Sequence, residues 1–475
     1  MQFIRQSKYK HVYGKLSKKE ESYENLRLTK SNSESSYIAV NSKYLAFISE
    51  AGGGGVFTVI PLHKTGKQDL NSGLVTGHTA PVTDIAWCPF DDSLIASSSE
   101  DCTVIIWRIN ECESSLITCN SIATLAEHQR KVLHIQWHPL VQDVLISTSS
   151  DSTLIVWNLT TLTPIHTFEL SKPVSSMSIS FSGENLLVGC RDSQVKLINL
   201  IEGTILKEHD CHESSKSVHL AYVDDTHFIT TGFTKRSDRQ LALWSIEDMT
   251  TPISKIDIDV SNGSLYPFFD YDTKIIFLLA KGDIVVRYFE YDQTDSSIHY
   301  LNRYDSNEPQ TGFNFLPKIS LNVNTNEVMR LFKMTNKKNC EVISFIVPRK
   351  SEMFQDDIYP DTIGQEPAIG VEDWLAGKSM QVVKYSMKKN YGKFMIKREA
   401  SSLSKISPGI GSRLSVYRSN SNEKSMTEFD NQFQTVAILD LRRELEETKR
   451  MVATLTNRLK LIEENVLSPE EPTTA

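Results

Sequence analysis

His78, Asp101, Trp107 and one of Ser97–Ser99 bring together the side-chain types of a base, an orienting acid and a nucleophile. His128, Ser147, Asp151 and Trp157 do so again. In both sets the histidine precedes the tryptophan by 29 residues. Catalysis needs one copy of its machinery, so a constellation that recurs once per repeat reads as architecture. The expected role is a hydrogen-bonded network tying turns to strands, and no residue is assigned as catalytic.

Other candidates fare no better. Gly52–Gly55 suggests a phosphate-binding loop, but such a loop ends in Gly-Lys-Ser/Thr and opens a helix. Here Val56-Phe57-Thr58-Val59 follows, which reads as a strand after a hairpin turn. Asp356, Asp357 and Asp361 cluster without a histidine or cysteine nearby, which favours turn and capping roles over a metal site. The seven cysteines include no Cys-x-x-Cys pair, so reduced thiols in a cytosolic protein are expected. Neither an enzyme nor a cofactor is expected.

The elements that carry these residues form an internal repeat. Val104-Ile105-Ile106-Trp107-Arg108-Ile109 matches Leu154-Ile155-Val156-Trp157-Asn158-Leu159, with weaker copies ending their cores at Ile198, Trp244 and Arg287. The five anchors lie 50, 41, 46 and 43 residues apart, near the WD-repeat period. Upstream, Gly77-His78 parallels Glu127-His128, and Trp87-Cys88-Pro89 parallels Trp137-His138-Pro139. Short alternating segments rich in β-branched residues, separated by Ser/Asp/Gly turns, predict four-stranded blades. One blade cannot bury both faces, whereas a closed ring can. The predicted fold is all-β, a seven-bladed WD-repeat propeller over 1–350. Blade one is expected over Tyr37 to Leu62, and blade seven over Phe313 to Val347 with strand-like pieces at 318–321 and 341–346. Seven is a fit of length, because the last two blades diverge from the pattern.

The net charge of −8 hides an asymmetry: residues 1–30 carry +5, residues 378–418 carry +9, and the remainder carries −22. Two basic segments on an acidic body suit an acidic partner, whether filament, anionic membrane or nucleic acid, and equally suit a solvated face and a linker. The longest apolar run is Ile275 to Ala280, too short to span a bilayer, and the first residues lack the apolar stretch of a secretory leader.

Past Pro348 the pattern changes. Residues 351–400 form an extension, 401–432 a Ser-rich basic linker, 433–467 a helix and 468–475 a tail. Along the helix, Ile438, Leu445, Val452, Leu459 and Val466 occupy heptad position a, and Leu441, Thr448, Leu455 and Ile462 occupy position d. That stripe predicts a coiled coil, or else a helix folded back on the propeller. Arg458 at g and Glu463 at e complete an R-h-x-x-h-E pattern that favours three parallel strands.

Arg5-Gln6-Ser7-Lys8-Tyr9-Lys10-His11-Val12-Tyr13-Gly14 and Tyr23-Glu24-Asn25-Leu26-Arg27 resemble the N-terminal signature of the coronins. Pro348-Arg349-Lys350-Ser351, Phe354 to Thr362 and Glu372-Asp373-Trp374-Leu375-Ala376-Gly377-Lys378 resemble the coronin-specific extension. The resemblance covers residues 1–395 and the coil. It implies a short coronin whose N-terminal strand completes the last blade and whose extension packs beneath the propeller. It further implies binding and bundling of filamentous actin, and modulation of the actin-related-protein branching complex and of cofilin-driven disassembly. It places the actin contact at Arg27, with Arg5, Lys8 and Lys10 as secondary candidates. The location implied is the cytoplasmic actin cortex, with at most a weak anionic-membrane contact and no nucleic acid. A generic WD-repeat adaptor, a membrane- or nucleic-acid-binding protein, and a hydrolase on a propeller scaffold are the competing readings.

Overall fold

A computed structural model describes residues 6–30, 33–50, 54–70, 72–111, 117–351 and 353–391. Arg5, the linker, the heptad and the tail lie outside the described residues. Six four-stranded sheets and one larger sheet stand in chain order as seven blades. Their inner strands are Ile38–Val40, Val82–Trp87, Val132–Trp137, Val174–Ile179, His219–Tyr222, Leu265–Asp270 and Gln310–Phe315. The chain runs outward through each blade by antiparallel pairing. Loops joining the first strand to the second define a lower face. Loops joining the second to the third, together with the crossings between blades, define an upper face.

Burial explains the strand sequences. Neighbouring blades cover both faces of a second strand, so Ile275–Ala280 is buried at every position and needs no alternation. An outer strand such as Thr204–Asp210 meets solvent and is exposed almost throughout. Blade one extends beyond its expected end. Its fourth strand is Leu74–Thr76, after an excursion in which Gly66–Lys67 pairs in parallel with Tyr23–Glu24 of the seventh sheet.

The seventh blade closes the ring. Its own strands are Gln310–Phe315, Glu327–Thr335 and Cys340–Ile346. The outer position belongs to the N-terminus: Tyr13–Leu16 pairs antiparallel with the last strand, Tyr13 opposite Ile346. The expected strand at 318–321 is instead a 3-10 turn, Lys318–Ser320, closed by Leu321 N donating to Lys318 O at 3.1 Å. Pro317, at the N-cap, has no amide to give a ladder.

The extension runs along the lower face. Ile358, Tyr359 and Met387 join the apolar core of blade seven, and Val371 and Trp374 join that of blades three and four. Tyr359 Oη donates to Glu327 O at 2.9 Å, and Ala368 N to Leu140 O at 2.9 Å. A short helix, Val371–Leu375, turns Trp374 onto His138, with ring centroids 5.2 Å apart. No helix among the described residues is long and apolar enough to cross a membrane.

Candidate functional site

The His-Ser-Asp-Trp sets are internal networks. Trp107 Nε1 donates to Ser97 Oγ at 2.8 Å, and Ser97 Oγ lies 2.8 Å from His78 Nε2. His78 Nδ1 lies 2.9 Å from Asp101 Oδ2. One proton arrangement satisfies all three contacts: indole to hydroxyl, hydroxyl to imidazole, imidazole to carboxylate. Burial lowers the His78 pKa against the pull of Asp101, so the ring is neutral at neutral pH. Burial alone would raise Asp101, but hydrogen bonds from Thr103, the Thr79 amide and His78 hold it below the usual carboxylate value. Ser97 is fully enclosed, leaving no room for a substrate carbonyl. Gly77 is required here, since a Cβ would stand 2.6 Å from Trp107 Cη2.

Blade three varies the scheme. His128 Nε2 and Trp157 Nε1 meet Ser147 Oγ at 2.7 and 2.8 Å. His128 Nδ1, however, meets Thr153 Oγ1 at 2.9 Å, and Asp151 stands back at 3.7 Å. Blade five holds a third copy that the sequence reading missed. His212 Nε2 and Trp244 Nε1 meet Thr230 Oγ1 at 2.9 and 2.8 Å. A threonine replaces the serine, and a longer strand pair, His227–Phe233 with Asp238–Ser245, lengthens the spacing to the tryptophan. Gly232 was the available signal, because a Cβ there would stand 2.3 Å from the His212 ring.

The basic candidates divide between faces. Arg27 is exposed on the upper face, in a segment clamped by two blades. Leu26 N donates to Lys338 O of blade seven at 2.9 Å, and Thr29 N to Ile48 O of blade one at 3.1 Å. Between them, Arg27 O accepts from Glu50 N at 3.1 Å. Asn25, at φ 64°, turns the chain there and fastens it through Nδ2 to Gln68 O at 2.9 Å. Leu26 is buried and Lys30 pairs with Glu50 at 3.1 Å, while the Arg27 guanidinium has no ion pair among the described residues. Lys8 and Lys10 sit in a turn before the closing strand, at its lower end. Lys8 Nζ donates to Asp357 O of the extension at 3.0 Å. Tyr13–Leu16 and the run to Tyr23–Glu24 carry the chain from Ile346 up to Cys340, so Arg27 and Lys8/Lys10 lie at opposite ends of one blade. They do not form one patch. Arg130, exposed in the crossing to blade three, shares the upper face with Arg27.

Residues 2–67 match the model of a domain of unknown function (DUF1899). Residues 71–108, 119–158 and 162–199 match the WD domain, G-beta repeat, and residues 340–382 match a type of WD40 repeat. Among solved structures, the WD40 domain of Toxoplasma gondii coronin aligns with a TM-score of 0.76 at 30% identity, over 80% of this chain and 97% of that one. A chain of a mitotic checkpoint complex aligns with a TM-score of 0.53 at 14% identity, over 73% of this chain and 97% of that one, which is a likeness of fold alone.

Proposed function

The chain belongs to the coronin family, and from that premise we propose that it binds actin filaments through the upper face around Arg27. The observation that carries this reading is Arg27, exposed in a segment whose backbone two blades clamp, with no ion pair for its guanidinium among the described residues. An exposed cation on a clamped backbone, unpaired among the described residues, is suited to an acidic surface on another molecule. The basic flanks on an otherwise acidic chain favour the same class of partner. Lys8 and Lys10, at the lower end, are assigned a secondary role at most.

The wider reading is a cytoplasmic protein of the actin cortex that crosslinks filaments as a homotrimer and modulates the branching complex and cofilin-driven disassembly. It is non-catalytic. His78, His128 and His212 are committed, with their serine or threonine partners, to networks inside the blades. Cosedimentation with filamentous actin, run beside anionic liposomes and RNA, tests the reading. Pelleting with actin supports it, and pelleting only with liposomes or RNA rejects it.

A further inference from the structure

The inner strands line a central channel, and the chain crosses its own upper mouth. Residues 33–36 reach over the ring. Lys281 Nζ of blade six donates to Ser33 O at 2.7 Å, and Ser217 Oγ of blade five to Glu34 Oε1 at 2.7 Å. Ser35 Oγ donates to Asp84 Oδ1 of blade two at 2.7 Å, and Phe313 N of blade seven to Ser36 O at 3.3 Å.

Beneath this plug lies a cavity of about 380 Å³. Four buried polar atoms of its lining have no hydrogen-bond partner: Glu34 Oε2, His134 Nε2, Gln136 Oε1 and His219 Nε2. Glu34 Oε2 meets Arg191 Nε only at 3.5 Å. All four can act as acceptors. Burial brings His134 down to about 4 and His219 to about 3, so both rings are neutral at neutral pH. His134 Nδ1 faces Asp84 Oδ2 at 4.0 Å, which favours the proton on Nδ1 and frees Nε2 to accept. Buried acceptors are costly without donors, and four around one void are unusual.

Of the neighbouring cations, Arg191 reaches only Glu34 Oε2, at 3.5 Å, and Lys281 serves none of the four. Lys281 is engaged with Ser33 and lies 3.5 Å over the Tyr37 ring, and burial lowers its pKa to about 7. What the cavity lacks is a group that brings donors alone. An aromatic wall is present in Tyr266, 4.2 Å from the His219 ring. Away from the plug the void continues into a second cavity of about 370 Å³, walled by Val40, Trp87, Pro89, Trp137 and Pro139. The two share Asp84, Gln136 and Asn314. A polar floor behind an apolar throat fits a charged head on a methylene stem.

We propose that the central channel is a binding site for an alkylguanidinium or alkylammonium group, its head against Glu34, His134, Gln136 and His219 and its stem between Trp87 and Trp137. The group belongs either to a free amine or to an arginine or lysine side chain of a peptide. The site stands apart from the filament reading and does not depend on it.

Calorimetric titration of the full-length protein tests the proposal with three probes: n-butylguanidinium, n-pentanol as an uncharged control, and acetyl-Gly-Gly-Arg-Gly-Gly-amide. Saturable binding of butylguanidinium and none of pentanol is expected. Glu34→Gln, which keeps shape and removes charge, and Gln136→Leu should each weaken binding about tenfold or more. Melting temperatures confirm that both variants fold. Peptide binding as tight as that of butylguanidinium identifies a partner's side chain, and binding of butylguanidinium alone identifies a small amine. No saturable binding of either, or unchanged affinity in both variants, overturns the proposal and leaves the channel to water.

Discussion

The hydroxyl of Tyr288 donates to the carbonyl of Val12 at 2.9 Å, across 276 residues of sequence. Both residues are fully buried. The bond fastens the N-terminal segment to blade six, while strand pairing fastens it to blade seven. Ring closure therefore has two anchors. Tyr288→Phe leaves a buried carbonyl without its donor, at an expected cost of about 1–3 kcal/mol. The urea midpoint should fall with an unchanged m value. An unmoved midpoint would mean that strand pairing alone closes the ring.

The three histidine networks should behave as structure. His78→Ala leaves the Ser97 hydroxyl proton without its acceptor and takes one donor from Asp101, which keeps Thr79 and Thr103, and Thr230→Val strands Trp244 Nε1 and His212 Nε2. Each change is expected to cost about 1–3 kcal/mol in thermal or urea denaturation. A stability loss confined to His78→Ala would show that the threonine version in blade five carries no comparable weight.

What could be read in the sequence, and what could not, divides along physical lines. Third strands announce themselves because Trp107, Trp157 and Trp244 are large, buried and regularly placed. The Thr230 network was hidden because a chain insertion changes spacing without changing geometry. Ile319 and Leu321 looked like strand residues, yet Pro317 and the tight Lys318–Ser320 turn prevail. Charge counts along the chain grouped Lys8, Lys10 and Arg27, but a strand with two ends delivers them to two faces. The plug at 33–36 has no local signature at all, because its partners come from five other blades.

Acid should destabilise the propeller well above the carboxylate range. Burial brings His134, His138 and His212 to about 4 and His219 to about 3, and lowers His78 and His128 as well. In the unfolded chain a histidine titrates near 6.5, so the unfolded state takes up protons first as pH falls. Stability from these groups is complete above about pH 6.5 and is lost toward pH 4, at up to about 1.4 kcal/mol per pH unit for each histidine. Asp84 and Asp272 act oppositely. Burial raises both to about 6, so the folded state gains protons there below that pH. Burial raises Asp92 as well; six histidines outweigh the three aspartates, and the urea midpoint should drop between pH 6.5 and 4.5. A flat midpoint across that window would contradict the buried neutral histidines.

Filament binding should respond to one face. Arg27→Asp replaces attraction with repulsion in an exposed segment whose backbone is clamped on both sides, so the fold should survive. Affinity in actin cosedimentation should fall by a few kcal/mol, about a hundredfold or more. Lys10→Glu, at the opposite end of the blade, should change binding by about 1 kcal/mol or less. Equal losses from the two variants would require contacts at both faces, and no loss from Arg27→Asp would remove the proposed site.

The assembly prediction rests on the heptad alone, which lies outside the described residues: the chain is expected to be a parallel homotrimer through residues 438–467. Ile438, Leu441, Leu445, Val452, Leu455, Leu459 and Ile462 supply an apolar stripe four heptads long. Mixed Ile, Leu and Val in the a and d positions do not choose between two strands and three. Flanking charges do so better. Arg458 at g would pair with Glu463 at e of the next helix, its methylene stem covering Leu459, and Glu444 and Lys449 repeat the complementarity. Three propellers on one stalk would bind a polymer multivalently and could bridge two filaments, with the 401–432 linker giving reach. Sedimentation equilibrium on the full chain at micromolar concentration should give the trimer mass. A dimer would reject the three-stranded register, and a monomer would reject the assembly. Arg458→Ala should lower the trimer fraction, and removal of 434–475 should leave a monomer that still pellets with filaments but no longer bundles them in low-speed sedimentation.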